Sequence, residues 1–272
     1  MNFLSIVWDP NIELFRIGPL SIRYYSLMFV IAFLAGLHIM KRIYKHEKVS
    51  VDLLDPLFIY TVLATLIGAR LGHFLFYDFE FLMSHPLEVL LPFRLNPFEF
   101  TGYQGLASHG AAIAVIIAMY FYSKKVLHKP LLWILDRIVL PVSFGGIFIR
   151  FGNLMNSEIV GKPTNSDYGF IFKQLGEDFP RHPAQLYEIF GYMVTFAILW
   201  YVYWKTNKKD KLGYIFGLFM VLLWSVRFIA EFFKDGQVAS REGWALNTGQ
   251  LLSIPFILVG FYFMLFYKGK KA

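Results

Sequence analysis

The sequence predicts an all-α fold: a polytopic membrane protein of about seven transmembrane helices, with its N-terminus outside and its C-terminus cytoplasmic. Three observations carry this. The 272 residues are 57% hydrophobic and 19% aromatic, with 30 Phe and a mean hydropathy of +0.50, and a soluble domain of this length does not hold so many long apolar runs. Fourteen of the 26 Lys and Arg fall in four clusters, Lys41–Lys48, Lys124–Lys129, Lys205–Lys211 and Lys268–Lys271. Each cluster directly follows an apolar run, so the charge of +7 is a positive-inside pattern and not a nucleic-acid patch. Inside lipid the backbone must satisfy its own hydrogen bonds, so the apolar runs are helices.

Taken in order, the spans fall at about 21–40, 54–77, 106–123, 131–150, 184–204, 213–233 and 247–267. The basic clusters follow the first, third, fifth and seventh, which makes those ends cytoplasmic. Between the second and third spans, residues 78–105 are punctuated by Pro86, Pro92 and Pro97 and read as irregular chain or surface-lying segments. Residues 151–183 are mixed and Gly/Pro-punctuated, an external head between spans four and five. The whole chain, 1–272, reads as one integral membrane domain, and the N-terminus shows no basic n-region or A-x-A site of a removable signal peptide.

This topology places scattered polar residues at one depth, the outward half. Arg70, Arg150, and Arg227 with Glu231 come late in outward-running spans. Tyr25, His109 and His182 lie at the outer starts of odd-numbered spans. Charged side chains near mid-bilayer cost roughly 2.5 to 3.5 kcal/mol on translocon scales, so they face a cavity or a partner. Guanidinium groups offer a planar fork of donors suited to phosphate, and a phospholipid headgroup is the phosphate available at that depth. The plainer reading is internal pairing, since Arg227 and Glu231 are four apart on one helix face. His109 opens a helix beside Gly110 and is the candidate general base, against a packing histidine. The run from Gly145 to Thr164 gathers Arg150, Asn153, Asn156, Glu158 and Gly161, and His182 to Glu188 gathers His182, Gln185, Tyr187 and Glu188. The second of these suits substrate contact and a hydrogen-bonded brace equally well.

No metal or other cofactor is expected. Glu158, Asp167, Glu188 and Glu231 are the only carboxylates worth weighing for a divalent ion, and no H-E-x-x-H, G-x-S-x-G or P-loop motif occurs. The chain has no cysteine, so any thiol in its chemistry arrives with a substrate. Asp136 and Arg137 are the notable polar residues near the cytoplasmic end of span four. A lipid-binding or flippase-type protein, the alternative to an enzyme, needs polar residues continuing across the membrane.

Several segments together resemble one family, the bacterial prolipoprotein diacylglyceryl transferases. Arg150, Gly152, Asn153, Asn156, Glu158 and Gly161 fit its pattern G-R-x-G-N-F-x-N-x-E-x-x-G, with Ile149 in place of the first glycine and Leu154 in place of phenylalanine. The H-P-x-Q-L-Y-E run is complete at His182–Glu188. Arg227-Phe-Ile-Ala-Glu231-Phe and Arg23-Tyr-Tyr25-Ser-Leu-Met are similar to two further motifs, and His109-Gly110-Ala111 departs from H-G-G at its last position.

The resemblance implies a multi-pass protein of the bacterial inner membrane with its active site facing the outer leaflet. Its partners would be phosphatidylglycerol, the signal peptide of a prolipoprotein with its lipobox cysteine, and the bilayer. It would move the diacylglyceryl group to that thiol and leave glycerol phosphate. His109 would take or steer the thiol proton, and Arg150 and Arg227 would stabilise the leaving oxygen. Asn153, Asn156 and Glu158 would meet headgroup hydroxyls, Tyr25 would anchor the phosphate or glycerol, and Glu231 would hold Arg227. Arg70, Gly161, His182, Gln185, Tyr187 and Glu188 complete the expected substrate-binding set.

Overall fold

The computed structural model describes residues 4–18, 20–96, 98–100, 105–235 and 246–267, so the basic cluster Lys268–Lys271 lies outside the described residues. The elements in chain order are β1 (Leu4–Trp8), β2 (Glu13–Ile17), β3 (Leu20–Arg23), α1 (Tyr24–His46), α2 (Leu54–Tyr77), α3 (Phe79–Ser84), α4 (Pro86–Leu90), β4 (Phe93–Leu95), β5 (Phe98–Phe100), α5 (Ser108–Tyr122), α6 (Leu131–Met155), β6 (Tyr168–Phe172), α7 (Ala184–Lys205), α8 (Tyr214–Ala230) and α9 (Thr248–Phe261). They fall into two compact units, residues 41–135 and residues 1–40 with 136–272.

The protein is mostly helical and polytopic. Among the described residues six helical stretches are long and apolar enough to cross a bilayer: Tyr24–His46, Val51–Leu75, Ser108–Leu127, Leu131–Met155, Ala184–Lys205 and Thr248–Phe266. The remaining expected span coincides with α8, an apolar helix whose 17 residues stand at the short limit for a crossing. The expectation of a purely helical fold needs one amendment, because among the described residues three two-stranded sheets accompany the helices. β2–β3 and β4–β5 are antiparallel hairpins, whereas β1 pairs in parallel with β6 from Leu4↔Tyr168 to Trp8↔Phe172.

In the unit of residues 41–135, α2 and α5 cross at small residues. A Cβ on Gly72 would lie 2.6 Å from the Gly110 Cα, and one on Gly68 would fall on Ala114 and on the Gly110 carbonyl oxygen. Backbones this close are the usual way helices gain packing contact in lipid, where no hydrophobic drive exists between them. Farther along, the buried Tyr122 hydroxyl donates to the Leu53 carbonyl at 2.9 Å and lies 3.0 Å from the Tyr44 hydroxyl. Between residues 79 and 100 the described chain forms α3, α4 and the β4–β5 hairpin.

In the other unit, α1 packs on α6 at Gly36, where a Cβ would meet Pro141 at 3.3 Å, and at Gly145, where it would meet Ala32 at 3.4 Å. α6 does not stop at residue 150 but runs to Met155. Its end is a Schellman cap: Glu158 N donates to Asn153 O at 2.9 Å and Ser157 N to Leu154 O at 3.1 Å, with Ser157 left-handed at φ +52°. The polar residues of this stretch are therefore the last turns and the cap of a helix. The Trp8 indole donates to Leu154 O at 2.9 Å, and Leu154, Phe170 and Phe172 form a small core covered by Trp8, Val160 and Leu186. This ties β1 and β6 to the end of α6.

Candidate functional site

The α6 cap sets three of the expected side chains in a row. Arg150 and Asn153, three apart on one helix face, meet through Arg150 Nη1 donating to Asn153 Oδ1 at 3.0 Å. Asn153 Nδ2 then donates to Glu158 Oε2 at 3.2 Å, and Asn156 Nδ2 to Glu158 Oε1 at 3.2 Å. The Schellman geometry brings the C″ residue back over the C3 residue, so Glu158 over Asn153 follows from the way the helix ends. Gln185, at the start of α7, donates to the Glu158 carbonyl at 2.6 Å. The Tyr25 ring lies on Gly152, where a Cβ would come within 2.7 Å of it, and Arg150, Asn153 and Glu158 are its polar neighbours.

From Arg150 the network crosses to α7 and beyond α8. Arg150 Nε stands 3.0 Å from Glu188 Oε2, an ion contact without good hydrogen-bond alignment. The other Glu188 oxygen accepts from Lys234 Nζ at 3.1 Å and from the Tyr192 hydroxyl at 3.4 Å. Lys234 also donates to Glu231 Oε1 at 3.1 Å. Glu188 is fully buried and Lys234 is 4% exposed, and a charge this far from water must be matched. Glu231 in turn lies on the first turn of α9. A Cβ on Gly249 would fall on its carboxylate, and Asn247, the capping-box residue of α9, donates to its main-chain oxygen at 3.0 Å. The positive end of that helix suits a carboxylate.

Arg227 takes a different place from the simple pairing that its spacing to Glu231 suggests. Glu231 is engaged by Lys234, and among the described residues no carboxylate stands within ion-pair distance of Arg227. The Arg227 guanidinium lies over the Trp224 ring at 5.2 Å, in electrostatic reach of Glu188 and Tyr192. Two buried amide oxygens, Asn156 Oδ1 and Gln185 Oε1, also lack a hydrogen-bond partner. Arg150 and Lys234 thus pair with Glu188 and Glu231, while Arg227 and the Glu158 carboxylate have no ion-pair partner among the described residues and two amide acceptors stay open.

The head is laced onto this network by main-chain bonds. Gly161 N donates to His182 O at 3.0 Å, Lys162 N to Phe233 O at 2.8 Å, and His182 N to Lys162 O at 3.0 Å. Any side chain at Gly161 would collide with the Phe233 carbonyl, 2.7 Å from a Cβ, and with His182. Arg181 binds both oxygens of Glu177 at 2.6 Å, Asp235 at 2.8 Å and the Gly161 carbonyl at 3.0 Å. His182 Nδ1 is 3.0 Å from the Tyr187 hydroxyl, with the Tyr168, Tyr187 and Phe233 rings around it. That burial pushes the imidazole below its ordinary value.

The other unit holds the two remaining expected residues. His109 sits half-buried in the first turn of α5, next to Gly110 at the α2 crossing. The strand-like approach to it is pinned by Ala107 N donating to Ala69 O at 3.0 Å and by Gly105, left-handed at φ +69°, against the His73 ring. Arg70 is buried, and it donates from Nε to Val89 O and from Nη2 to Glu88 O, both at 2.9 Å. Those donors fasten α4 to α2.

Over residues 12–266 the chain matches the family model described as prolipoprotein diacylglyceryl transferase. The chain belongs to this family. It is 42% identical to the phosphatidylglycerol–prolipoprotein diacylglyceryl transferase of Bacteroides fragilis over 99% of its length and 98% of the relative's. The enzymes of the same name from Chloroherpeton thalassium and Tolumonas auensis are 39% and 37% identical, each over 98% of this chain and over 96% and 99% of their own.

Two site residues escape the sequence reading, Lys234 and Tyr192. Lys234 stands three residues after Glu231, an i, i+3 pairing signal that was there to read, but it falls outside the basic clusters. Tyr192 is one of 16 tyrosines and carries no signal of its own. Asp136 proves structural: its carboxylate accepts from Gly213 N at 2.7 Å and Phe216 N at 2.8 Å, capping α8 where Gly213 offers no side chain. Among the described residues no group of three His, Asp or Glu is placed to hold a metal ion.

Proposed function

We propose that this transferase moves the diacylglyceryl group of phosphatidylglycerol onto the lipobox cysteine of a prolipoprotein. The lipid's phosphoglycerol headgroup is one negative charge with hydroxyl donors, and the site offers its complement in Arg227 and the two open amide acceptors. That unmatched Arg227 beside a fully matched Arg150–Glu188–Lys234–Glu231 network is the observation that carries the reading.

The thiol sulfur attacks the glycerol carbon that bears the phosphate ester. The C–S bond forms as the C–O bond breaks, and the electron pair leaves with the phosphate oxygen as glycerol phosphate. A free thiol has a pKa near 8.5, so a base helps at neutral pH, and His109 takes that proton. Arg150 and Arg227 stabilise the charge growing on the leaving oxygen, where exclusion of water strengthens them. Asn153, Asn156, Glu158 and Gln185 orient the headgroup, and Tyr25 anchors it from α1. Glu188 holds Arg150, and Lys234 ties Glu188 to Glu231. Gly161, His182 and Tyr187 shape the wall of the head, and Arg70 braces α4 against α2.

The chain works as one multi-pass domain of the bacterial inner membrane. It has seven spans counting α8, its N-terminus outside, its C-terminus cytoplasmic, and residues 151–183 as the outer head. Of the two inner polar residues, Asp136 is spent on capping α8, which weighs against the transport alternative. Arg227→Ala and Arg227→Lys in detergent, assayed for glycerol phosphate release, test the reading. Both are expected to cut turnover at least a hundredfold with the fold intact. Wild-type turnover in Arg227→Lys would remove the planar-fork argument.

A further inference from the structure

Arg227 is held by a ring and not by a carboxylate. Its guanidinium lies 5.2 Å from the centre of the Trp224 ring, three residues back on the same face of α8. Two other arginines lie over rings but spend their donors elsewhere. Arg70, 4.8 Å from the Phe74 ring, gives them to the Val89 and Glu88 carbonyls, and Arg181, 5.1 Å from the Phe179 ring, gives them to Glu177 and Asp235. An aromatic face attracts a cation and leaves its charge and N–H donors unspent, whereas a carboxylate consumes both.

The ring is itself fixed. The Trp224 indole stacks on Phe256 of α9, with centroids 4.2 Å and planes 13° apart. The helices touch on both sides of this pair. On one side a Cβ on Gly217 or on Gly260 would lie 2.7 Å from the other's carbonyl oxygen, so the two backbones are in contact. On the other side the Glu231 carboxylate rests on Gly249. The contact order Gly217–Gly260, Trp224–Phe256, Glu231–Gly249 makes α8 and α9 antiparallel, with the stacked rings between two close contacts. The indole cannot slide far along either helix.

We infer that Trp224, backed by Phe256, is a positioning residue that holds the Arg227 guanidinium ready for a phosphate without neutralising it. The inference rests on the transferase reading, in which Arg227 meets the headgroup and the leaving oxygen. A carboxylate in place of the indole would compete with the phosphate. An aliphatic side chain would leave the long arginine to be ordered each time lipid binds, at a cost in entropy.

The test changes the charge of the ring face and hardly its size. Tryptophan with one, two, three or four ring fluorines is placed at position 224 by stop-codon suppression, since fluorine drains the π face that attracts a cation. In detergent with phosphatidylglycerol and a lipobox peptide, kcat/KM for the lipid is expected to fall stepwise with each fluorine, to about a tenth at four. The peptide KM and the melting temperature are expected to stay at their wild-type values. A flat series, or activity that falls only together with melting temperature, assigns Trp224 to packing and overturns the inference. A second arm needs no turnover. The difference in emission between wild type and Trp224→Phe isolates this indole among the 6 tryptophans. Dioctanoyl phosphatidylglycerol is expected to shift that difference spectrum, dioctanoylglycerol without the phosphate to leave it unchanged, and Arg227→Ala to abolish the shift. No shift, or a shift that survives Arg227→Ala, contradicts the inference. If wild-type protein transfers nothing to the peptide, the transferase reading fails on its own, and the emission arm alone decides whether Trp224 holds Arg227 for a phosphate.

Discussion

At the scale of single residues, Lys234 bears the heaviest electrostatic duty, with Glu188 and Glu231 both resting on one ammonium group. Removing one partner of a buried pair leaves an uncompensated charge, at about 3 to 5 kcal/mol. Lys234→Met is therefore expected to lower thermal stability sharply, and Lys234→Arg to keep most of it. A thermal shift in detergent separates them; an unchanged Lys234→Met would mean that the network does not hold the site together. His182 gives a pH signature. Well above pH 6.5 its ring is neutral in both the folded and the unfolded chain and adds nothing to stability. As pH falls below 6.5 toward the depressed folded value, the unfolded chain takes up a proton that the folded head resists, so stability drops. His182→Gln should flatten that acid limb in a pH series of melting temperatures. A limb as steep as wild type would assign it to other groups.

At the scale of elements, the cap of α6 makes the site. Ser157 holds a left-handed conformation at φ +52° that costs a side-chain-bearing residue about 1 to 2 kcal/mol, so Ser157→Gly should stabilise the protein by about 1 kcal/mol. A loss of stability would show that the serine side chain matters more than the backbone. The capping of α8 by Asp136 is a second case. Asp136→Leu strips both N–H groups of their acceptor, at about 1 to 3 kcal/mol each, while Asp136→Asn keeps one oxygen and should cost less. Equal melting temperatures for the two variants would contradict the cap.

At the scale of the whole molecule, the apolar runs and the motifs were legible because both depend on residue type and spacing. Each long span appears within a few residues of its expected place, and Arg150, Asn153, Asn156, Glu158, Gln185 and Glu188 do converge. What escaped depends on contacts across long stretches of chain. The pairing of β1 with β6 joins strands some 160 residues apart, and no periodicity announces it. The partner of Glu231 was misjudged for a related reason: i, i+4 spacing favours Arg227, but the chain turns after Ala230 and puts Lys234 there instead. Arg70, expected at the substrate, spends two donors on carbonyls of a short helix whose position no motif encodes. Since the chain has no cysteine, single substitutions can map orientation. Lys125→Cys and Lys208→Cys should react with a membrane-impermeant maleimide only in inverted vesicles, and Glu80→Cys and Asp167→Cys only in intact cells. The reverse pattern would overturn the proposed topology.

The most direct measurement is glycerol phosphate release by the purified protein from phosphatidylglycerol and a lipobox peptide with one cysteine, beside the same peptide with alanine. Release is expected only with the thiol, with a matching gain of a diacylglyceryl mass on the peptide and loss of both in Arg227→Ala. Release with the alanine peptide, or no release from folded protein that still binds the lipid, would contradict the proposed transfer.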